Sequence, residues 1–437
     1  MNRLLKAAIL LMIAMFFMNC GGSKKLSLED YNQKPPEEKI SYLEQQVQKN
    51  PNDLQLKRQL YQEYLNVGDQ DHALTVMAQM IEIDPNQVDL MFEYGEMQYR
   101  AGNSQQAYRA FLGVMESSSA DIYLSRVANY VSGGSYIIQQ LTNSDADEGC
   151  PSFSPDGKKI VYQKKTGDNW DIYEYDLETK TETQLVSTPA DEELPVYSPD
   201  GSLVAFTSTA NDRRPIDNNY KVREVATVAL RDKFMRNLTQ SFADDWHPNY
   251  SHNGEFIAFV SDRNDLRKVS FVAKQSDVYI MESNGDFQHQ LTETQANEGG
   301  ATFSPDDKQI FFHSDRNGNY DIFVMRKDGS QVLTLIDQPG NDVNPYPSPD
   351  GQYLTFVSDR SGNFEIYRCK ANGENQQQVT FSPGIDADPA FSPDGNAIAF
   401  HSNRNGNYDI FIANLTEATS GETTVSSVVQ RLNSLIN

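Results

Sequence analysis

The chain has 437 residues and a formal net charge of −24 at pH 7, from 37 Lys and Arg against 61 Asp and Glu. That balance excludes a role built on phosphate contacts, because nucleic-acid affinity comes mainly from cationic side chains that displace counterions. With 22 Tyr and 22 Phe but 2 Trp, the composition points to a β-rich core carried by Tyr and Phe, and the length suits two or three domains.

The chain opens with MNRLLKAAILLMIAMFFMNC, in which Arg3 and Lys6 precede an apolar run from Ala7 to Met18. A helix needs roughly 20 apolar residues to cross a bilayer, so this shorter run reads as a signal peptide over residues 1–19. Its end, FFMNCGGS, resembles a bacterial lipobox, with Cys20 as the residue that is acylated and becomes the mature N-terminus. Asn19 departs from the small residue usual before that cysteine, and an ordinary signal peptide with an incidental Cys is the other reading. Residues 20–37 are polar and contain Pro35 and Pro36, which suits a lipidated, flexible tether. Acyl chains on Cys20 would hold the protein at a membrane, most simply the bacterial outer membrane, without a transmembrane helix.

A helical array is expected over residues 38–131. Pro51 and Pro85, Gly68 and Gly102, and Ala73 and Ala107 are each 34 positions apart. The glycines permit turns between paired helices, the alanines permit close packing, and Met77 and Phe111 fall one helical turn further on the same face. This spacing resembles the tetratricopeptide repeat. The second unit departs from the first at Gln98, which stands at the place of Tyr64, and at Ser119, where a proline is expected. Single helices are expected on either side, over 40–50 and 120–130. Such arrays bind extended peptides or serve as packed spacers.

From residue 135 a second period takes over. FHSDRNGNYDIF (Phe312–Phe323), FVSDRSGNFEIY (Phe356–Tyr367) and FHSNRNGNYDIF (Phe400–Phe411) lie 44 residues apart. Six turns, FSPDG at Phe153, YSPDG at Tyr197, YSHNG at Tyr250, FSPDD at Phe303, PSPDG at Pro347 and FSPDG at Phe391, follow one another at 44, 53, 53, 44 and 44 residues. In each unit a short apolar strand meets this turn, whose Pro presets φ and whose Gly supplies a positive φ. A second strand, a polar DRNGN-type turn, an alternating third strand and a more polar fourth strand with QLT, NLT or QVT complete it. Four antiparallel strands repeated six times predict a six-bladed β-propeller over 135–437. The fold class is therefore multidomain α + β, with a helical array followed by an all-β propeller.

The repeat resembles the TolB family of periplasmic propellers, whose blades carry FSPDG and SDR-GN-DIY segments. The resemblance covers about two-thirds of the chain. It implies a binding protein of the Tol–Pal envelope system with envelope-protein partners, a peptidoglycan-associated lipoprotein among them; no cofactor or metal is expected. The lipobox and the helical array depart from TolB itself, which leaves a partner-binding envelope scaffold as the implied function.

The turn between strands two and three shares a face with the link from strand four to the next blade. Three residues before the Pro, or its equivalent, that opens each blade stand Glu148, Glu192, Asp245, Glu298, Asp342 and Asp386, all acidic. The same face receives Arg263, Arg316, Arg360 and Arg404. Two readings follow: a ring of negative charge at the channel mouth that attracts a basic peptide or a cation, or acids that pair with neighbouring arginines and hold the blades together. Two basic insertions, NDRRPIDNNYKVREVA in blade two and RNDLRKVSFVAKQSD in blade three, fall on this face as well. Arg213, Arg214, Lys221, Arg267 and Lys268 are therefore candidate partner contacts.

A catalytic role finds less support. The chain ends just after the sixth unit and has no G-x-S-x-G elbow. Related propeller lyases gather a catalytic metal on clustered histidines. Here His247, His313 and His401 lack compact spacing, so a metal-dependent polysaccharide lyase or a carbohydrate-binding propeller stands as the alternative. Cys150 and Cys369 fall on non-adjacent blades, too far apart for a disulfide, and are expected to be free thiols. Of the two segments able to close the ring, 135–142 is favoured over 428–435.

Replacing Cys20 by Ser should leave a precursor that no longer partitions into detergent. Unchanged processing and partitioning in Cys20→Ser would show that the anchor lies elsewhere.

Overall fold

The computed structural model describes residues 31, 34–132, 136–267, 269, 273–418 and 424–436. Cys20 and Lys268 lie outside them. The chain divides into two units, one helical and one built of β-sheets.

The helical unit runs through Pro36–Lys49, Leu54–Asn66, Gln70–Ile83, Val88–Arg100, Ser104–Met115 and the start of Ala120–Ser132. Asp53 caps the second helix by accepting from the backbone N–H groups of Gln55 and Leu56 at 2.9 and 3.1 Å, and Asp69 caps the third through His72 N–H at 3.2 Å. Such caps satisfy donors that a helix start leaves unpaired. The 34-residue period is physical. Gly68 and Gly102 adopt φ of 75° and 77°, and Ala73, Ala107, Met77 and Phe111 are fully buried. Gln98, the departure from Tyr64, is buried and bridges Tyr94 Oη and Asn103 Nδ2, both at 2.8 Å.

The β-unit is a six-bladed propeller. Among the described residues, 24 strands form six four-stranded antiparallel sheets. First strands are Glu148–Phe153, Glu192–Tyr197, Asp245–Tyr250, Glu298–Phe303, Asp342–Pro347 and Asp386–Phe391; each opens on one of the six acids noted in the sequence. Blade six takes its fourth strand from Tyr136–Gln140, which pairs antiparallel with Asp409–Ala418. The segment before blade one thus closes the ring, leaving no unpaired edge at the seam. The competing segment is not a strand: Val425–Ile436 is a helix.

The S-P-D-G turns form a chain around the opposite face. In each, the Ser or its equivalent donates to the turn's Asp or Asn, at 2.5 to 2.8 Å. The turn glycine sits beside the preceding blade's proline, as Gly201 does beside Pro155. Two departures compensate each other. Blade three has His252 in place of Pro, which restores a backbone N–H, and blade four has Asp307 in place of Gly, at φ 56°. Asp307 accepts from His252 N–H at 2.7 Å and Asn253 N–H at 2.9 Å, offsetting the cost of a left-handed non-glycine residue.

A propeller chain that begins at Gly133 should fold, whereas one that begins at Asn143 should not. Removing residues 424–437 should lower the melting temperature only modestly. The reverse ranking in thermal unfolding would show that the C-terminal helix, not the strand, secures the ring.

Candidate functional site

The SDRNGN hairpin is the joint between blades, and blade four shows its parts. Phe312 and Phe323 are cross-strand partners with ring centroids 5.7 Å apart. The Arg316 guanidinium lies 4.5 Å from the Phe323 ring centroid, donates through Nε to Ser314 Oγ at 3.0 Å and pairs with Glu298. Asp315 accepts from Asn297 N–H at 2.7 Å. Asn319 reaches forward and donates to the carbonyls of Gln338 and Gly340 in the link to blade five. Blades five and six repeat the arrangement: Arg360 with Asp342 and Arg404 with Asp386, both at 2.7 Å. Arg263 meets Asp245 at 2.7 Å in blade three, and Lys164 takes the arginine's place beside Glu148 at 3.1 Å.

Of the two readings of the six acids, the burial and the ion pairs fit the one in which they pair within the blades, not an exposed ring of charge. Glu148, Glu192, Asp245, Glu298, Asp342 and Asp386 are each 0–1% exposed. Their carboxylates lie inside the blades, where an unpaired charge is costly, and the facing cations and hydroxyls hold them. A second set of acids stands at or near the start of the third strands: Asp171, Glu224, Asp277, Asp321, Glu365 and Asp409, all buried. Each of these faces the first-strand acid of the following blade, as Asp171 faces Glu192, Glu224 faces Asp245 and Asp409 faces Glu148. The threonine of the QLT-type strand serves this set. Thr239, Thr292 and Thr380 each accept a third-strand backbone N–H at 2.9 Å and donate to Glu224, Asp277 and Glu365.

Blade two has Ala210 where blades three to six have an arginine. Glu192 is left with Thr188 Oγ1 at 2.6 Å and Ser208 Oγ at 3.4 Å. Burial, with Asp171 alongside, pushes it up to about 7. Burial likewise pushes Glu224 to about 7 and Asp277 to about 6.

The two insertions share one device. Asp212 accepts from Arg214 N–H at 3.0 Å, from Arg214 Nε at 2.9 Å and from Val222 N–H at 2.9 Å, while Arg214 Nη2 donates to Tyr220 O at 3.2 Å. Asp265 does the same with Arg267 N–H, Arg267 Nε and Gln275 N–H, at 3.0, 2.8 and 2.7 Å, and Arg267 donates to Ala273 O at 2.9 Å. Arg214 and Arg267 are thus braces of their loops. Arg213 is exposed and Lys221 half-buried. Within the insertions stand large exposed apolar side chains: Ile216 at 40%, Tyr220 at 65% and Leu266 at 89%.

On the axis, the ring brings together residues that the sequence scatters. Cys150, Leu194, His247, Gly300, Asn344 and Asp388 occupy the same place in the six first strands, each at φ between 50° and 59°, at the bulge where strand register shifts. They surround a cavity of about 70 Å³. Second-strand side chains of the preceding blade accept from their backbone N–H groups. Gln163 accepts from Leu194 at 2.8 Å, Thr207 from His247 at 3.2 Å, His313 Nδ1 from Asn344 at 3.2 Å and His401 Nδ1 from Cys150 at 3.4 Å. Blade four carries Gly299–Gly300 because His313 fills the space: a Cβ on Gly300 would come within 2.7 Å of His313 Nδ1. Burial pushes His247 down and His313 to about 3, with Asp388 opposing in both cases. Among the described residues Cys150 and Cys369 are both free, and burial pushes Cys369 up to about 12.

Residues 334–434 match the family model described as the TolB beta propeller domain. That match falls on the last part of the six-bladed propeller, from the fourth strand of blade four through blade six. Among curated proteins no sequence matches the chain. Among solved structures it is similar to TolB from Acinetobacter baumannii, at 15% identity over 71% of this chain and 70% of that one, with a TM-score of 0.45. It is also similar to an oligogalacturonate lyase from Vibrio parahaemolyticus, at 14% identity over 64% and 93% of the two chains, with a TM-score of 0.45. A gluconolactonase from Xanthomonas campestris gives 15% identity over 66% and 92%, with a TM-score of 0.49. Among the described residues no helix is long and apolar enough to cross a membrane.

Glu192→Gln tests the carboxylate joint. Because folding raises this group from 4.5 to about 7, the folded state holds the extra proton between those values, and stability falls as pH rises through the window. Relative to wild type, Glu192→Gln should gain up to about 3 kcal/mol at pH 8 and little at pH 4, at about 1.4 kcal/mol per unit. Glu298→Gln, which leaves Arg316 without its partner, should destabilise at pH 8. Parallel denaturation curves for Glu192→Gln at the two pH values would overturn this account.

Proposed function

We propose that this protein is a non-enzymatic, lipid-anchored scaffold of the bacterial cell envelope. It holds protein partners on the loop face of its propeller and along its tetratricopeptide-like helices. The observation that carries the reading is the pair of braced insertions on adjacent blades. Each keeps its arginine for internal support and turns apolar side chains outward, at Ile216, Tyr220 and Leu266, with Arg213 and Lys221 alongside. A rigid scaffold presenting apolar anchors amid basic groups suits an apolar patch with an acidic rim on another protein. The resemblance to TolB supports an envelope partner, a peptidoglycan-associated lipoprotein being one candidate. The signal peptide over 1–19 and the tether over 20–37, with Cys20 acylated, support attachment to the outer membrane.

The axial cavity of about 70 Å³ is well below the roughly 300 Å³ at which small-molecule pockets begin, which disfavours a polysaccharide lyase acting there.

Photo-crosslinking in intact cells tests the face. Crosslinkers at Tyr220 and Leu266 should capture the same partner, and one at Lys308, on the opposite face, should not. Leu266→Asp should lower capture at least about tenfold, the loss of one interface anchor, with the melting temperature unchanged. Capture from Lys308 but not from the insertions would overturn the assignment, as would uronate-cleaving activity in the purified protein.

A further inference from the structure

The seam of the propeller holds a donor set found at no other junction among the described residues. Cys150, Asp388 and His401 each offer one ligand atom, all within 4.8 Å of one another. Cys150 Sγ is 3.1 Å from Asp388 Oδ2, and His401 Nδ1 is 3.4 Å from the same oxygen. A tetrahedral zinc site with bonds of ~2.0–2.3 Å has edges of about 3.3–3.8 Å, so the spacing is already close to that of a coordination shell.

Orientation points the same way. Asn344 Nδ2 donates to the other carboxylate oxygen, Asp388 Oδ1, at 2.6 Å, which turns Oδ2 toward the thiol and the imidazole. Cys150 N–H approaches His401 Nδ1 at 3.4 Å, so that nitrogen carries its lone pair in a long, weak contact that a cation would take over. The ring is held edge-on by Tyr408, with centroids 5.2 Å apart. Nδ1 therefore faces a carboxylate oxygen that also presents lone pairs, a repulsion that a cation between them converts into attraction. The sister junction shows what is particular here. His313 Nδ1 has the same backbone contact, but from Asn344, whose side chain is an amide.

We propose that Cys150, Asp388 and His401 form a binding site for a borderline divalent cation of the zinc class at the seam between blades one and six. Sulfur, imidazole nitrogen and carboxylate oxygen together suit zinc or cobalt over magnesium or calcium. Thiolate and carboxylate balance the two charges, and the thiol gives up its proton to solvent on binding. Because the ligands come from both ends of the ring, 251 residues apart between Cys150 and His401, the cation fastens the propeller's closure.

The test is cobalt(II) titration of the full chain in detergent after treatment with a chelator, read by absorption. Wild type should bind one equivalent with a thiolate-to-cobalt charge-transfer band and the d–d bands of a tetrahedral site, and its melting temperature should rise. Cys150→Ser should abolish the charge-transfer band and Cys369→Ser should keep it. Asp388→Asn and His401→Gln should each weaken binding at least about tenfold. A folded wild-type chain without the band, or a band that survives Cys150→Ser, overturns the site. The wild-type spectrum decides the matter even if a variant fails to fold.

Discussion

Two buried carboxylates meet at each of the six blade junctions, one from a first strand and one from a third, and each needs a cation, a hydroxyl or a proton to stay there. Much of the repeat's polar grammar follows. The arginine of SDR neutralises the first-strand acid of its own blade, the serine fixes that arginine through Nε, and the aromatic pair beneath the guanidinium shields the ion pair from water. Removing one member of such a buried pair costs about 3–5 kcal/mol. This is why the hairpin recurs almost letter for letter in blades four, five and six. The asparagine that ends the turn reaches into the next link, so the motif carries both the blade and its joint to the neighbour.

Where the repeat departs from its pattern, another residue answers. His252 gains a backbone donor that proline lacks, and Asp307 gives up glycine's conformational ease to accept from it. Blade two loses the arginine and keeps Glu192 by letting it hold its proton near neutrality. Blade four replaces the usual residue and proline with Gly300 and Ala301, because His313 occupies the space a side chain would need. These exchanges preserve hydrogen bonding and charge inside a packed ring, where neither can be met by water.

The rigid ring leaves two places free to vary. One is the loop face, where blades two and three extend braced insertions. The other is the axial position of each first strand, where a positive φ turns one side chain toward the channel without disturbing the blade. Cys150, His247, Asn344 and Asp388 use that freedom to bring polar chemistry to the axis, while Leu194 and Gly300 keep part of it inert.

The sequence by itself determined the blade count, the strand order, the closing segment's pattern and the helical period, because these rest on local turn chemistry and on spacing that survives any packing. It also exposed six acids in register. Their burial was not legible, since register shows that residues share a position but not which way that position faces. The third-strand acids and the Asp-x-Arg braces were present in the letters, yet their partners lie a blade away or about ten residues on. Only the tertiary structure decided that the acidic ring is interior, because blade packing sets solvent access. It alone gathered Cys150, Asp388 and His401, because closing a ring joins its two ends and makes neighbours of residues that the chain holds farthest apart.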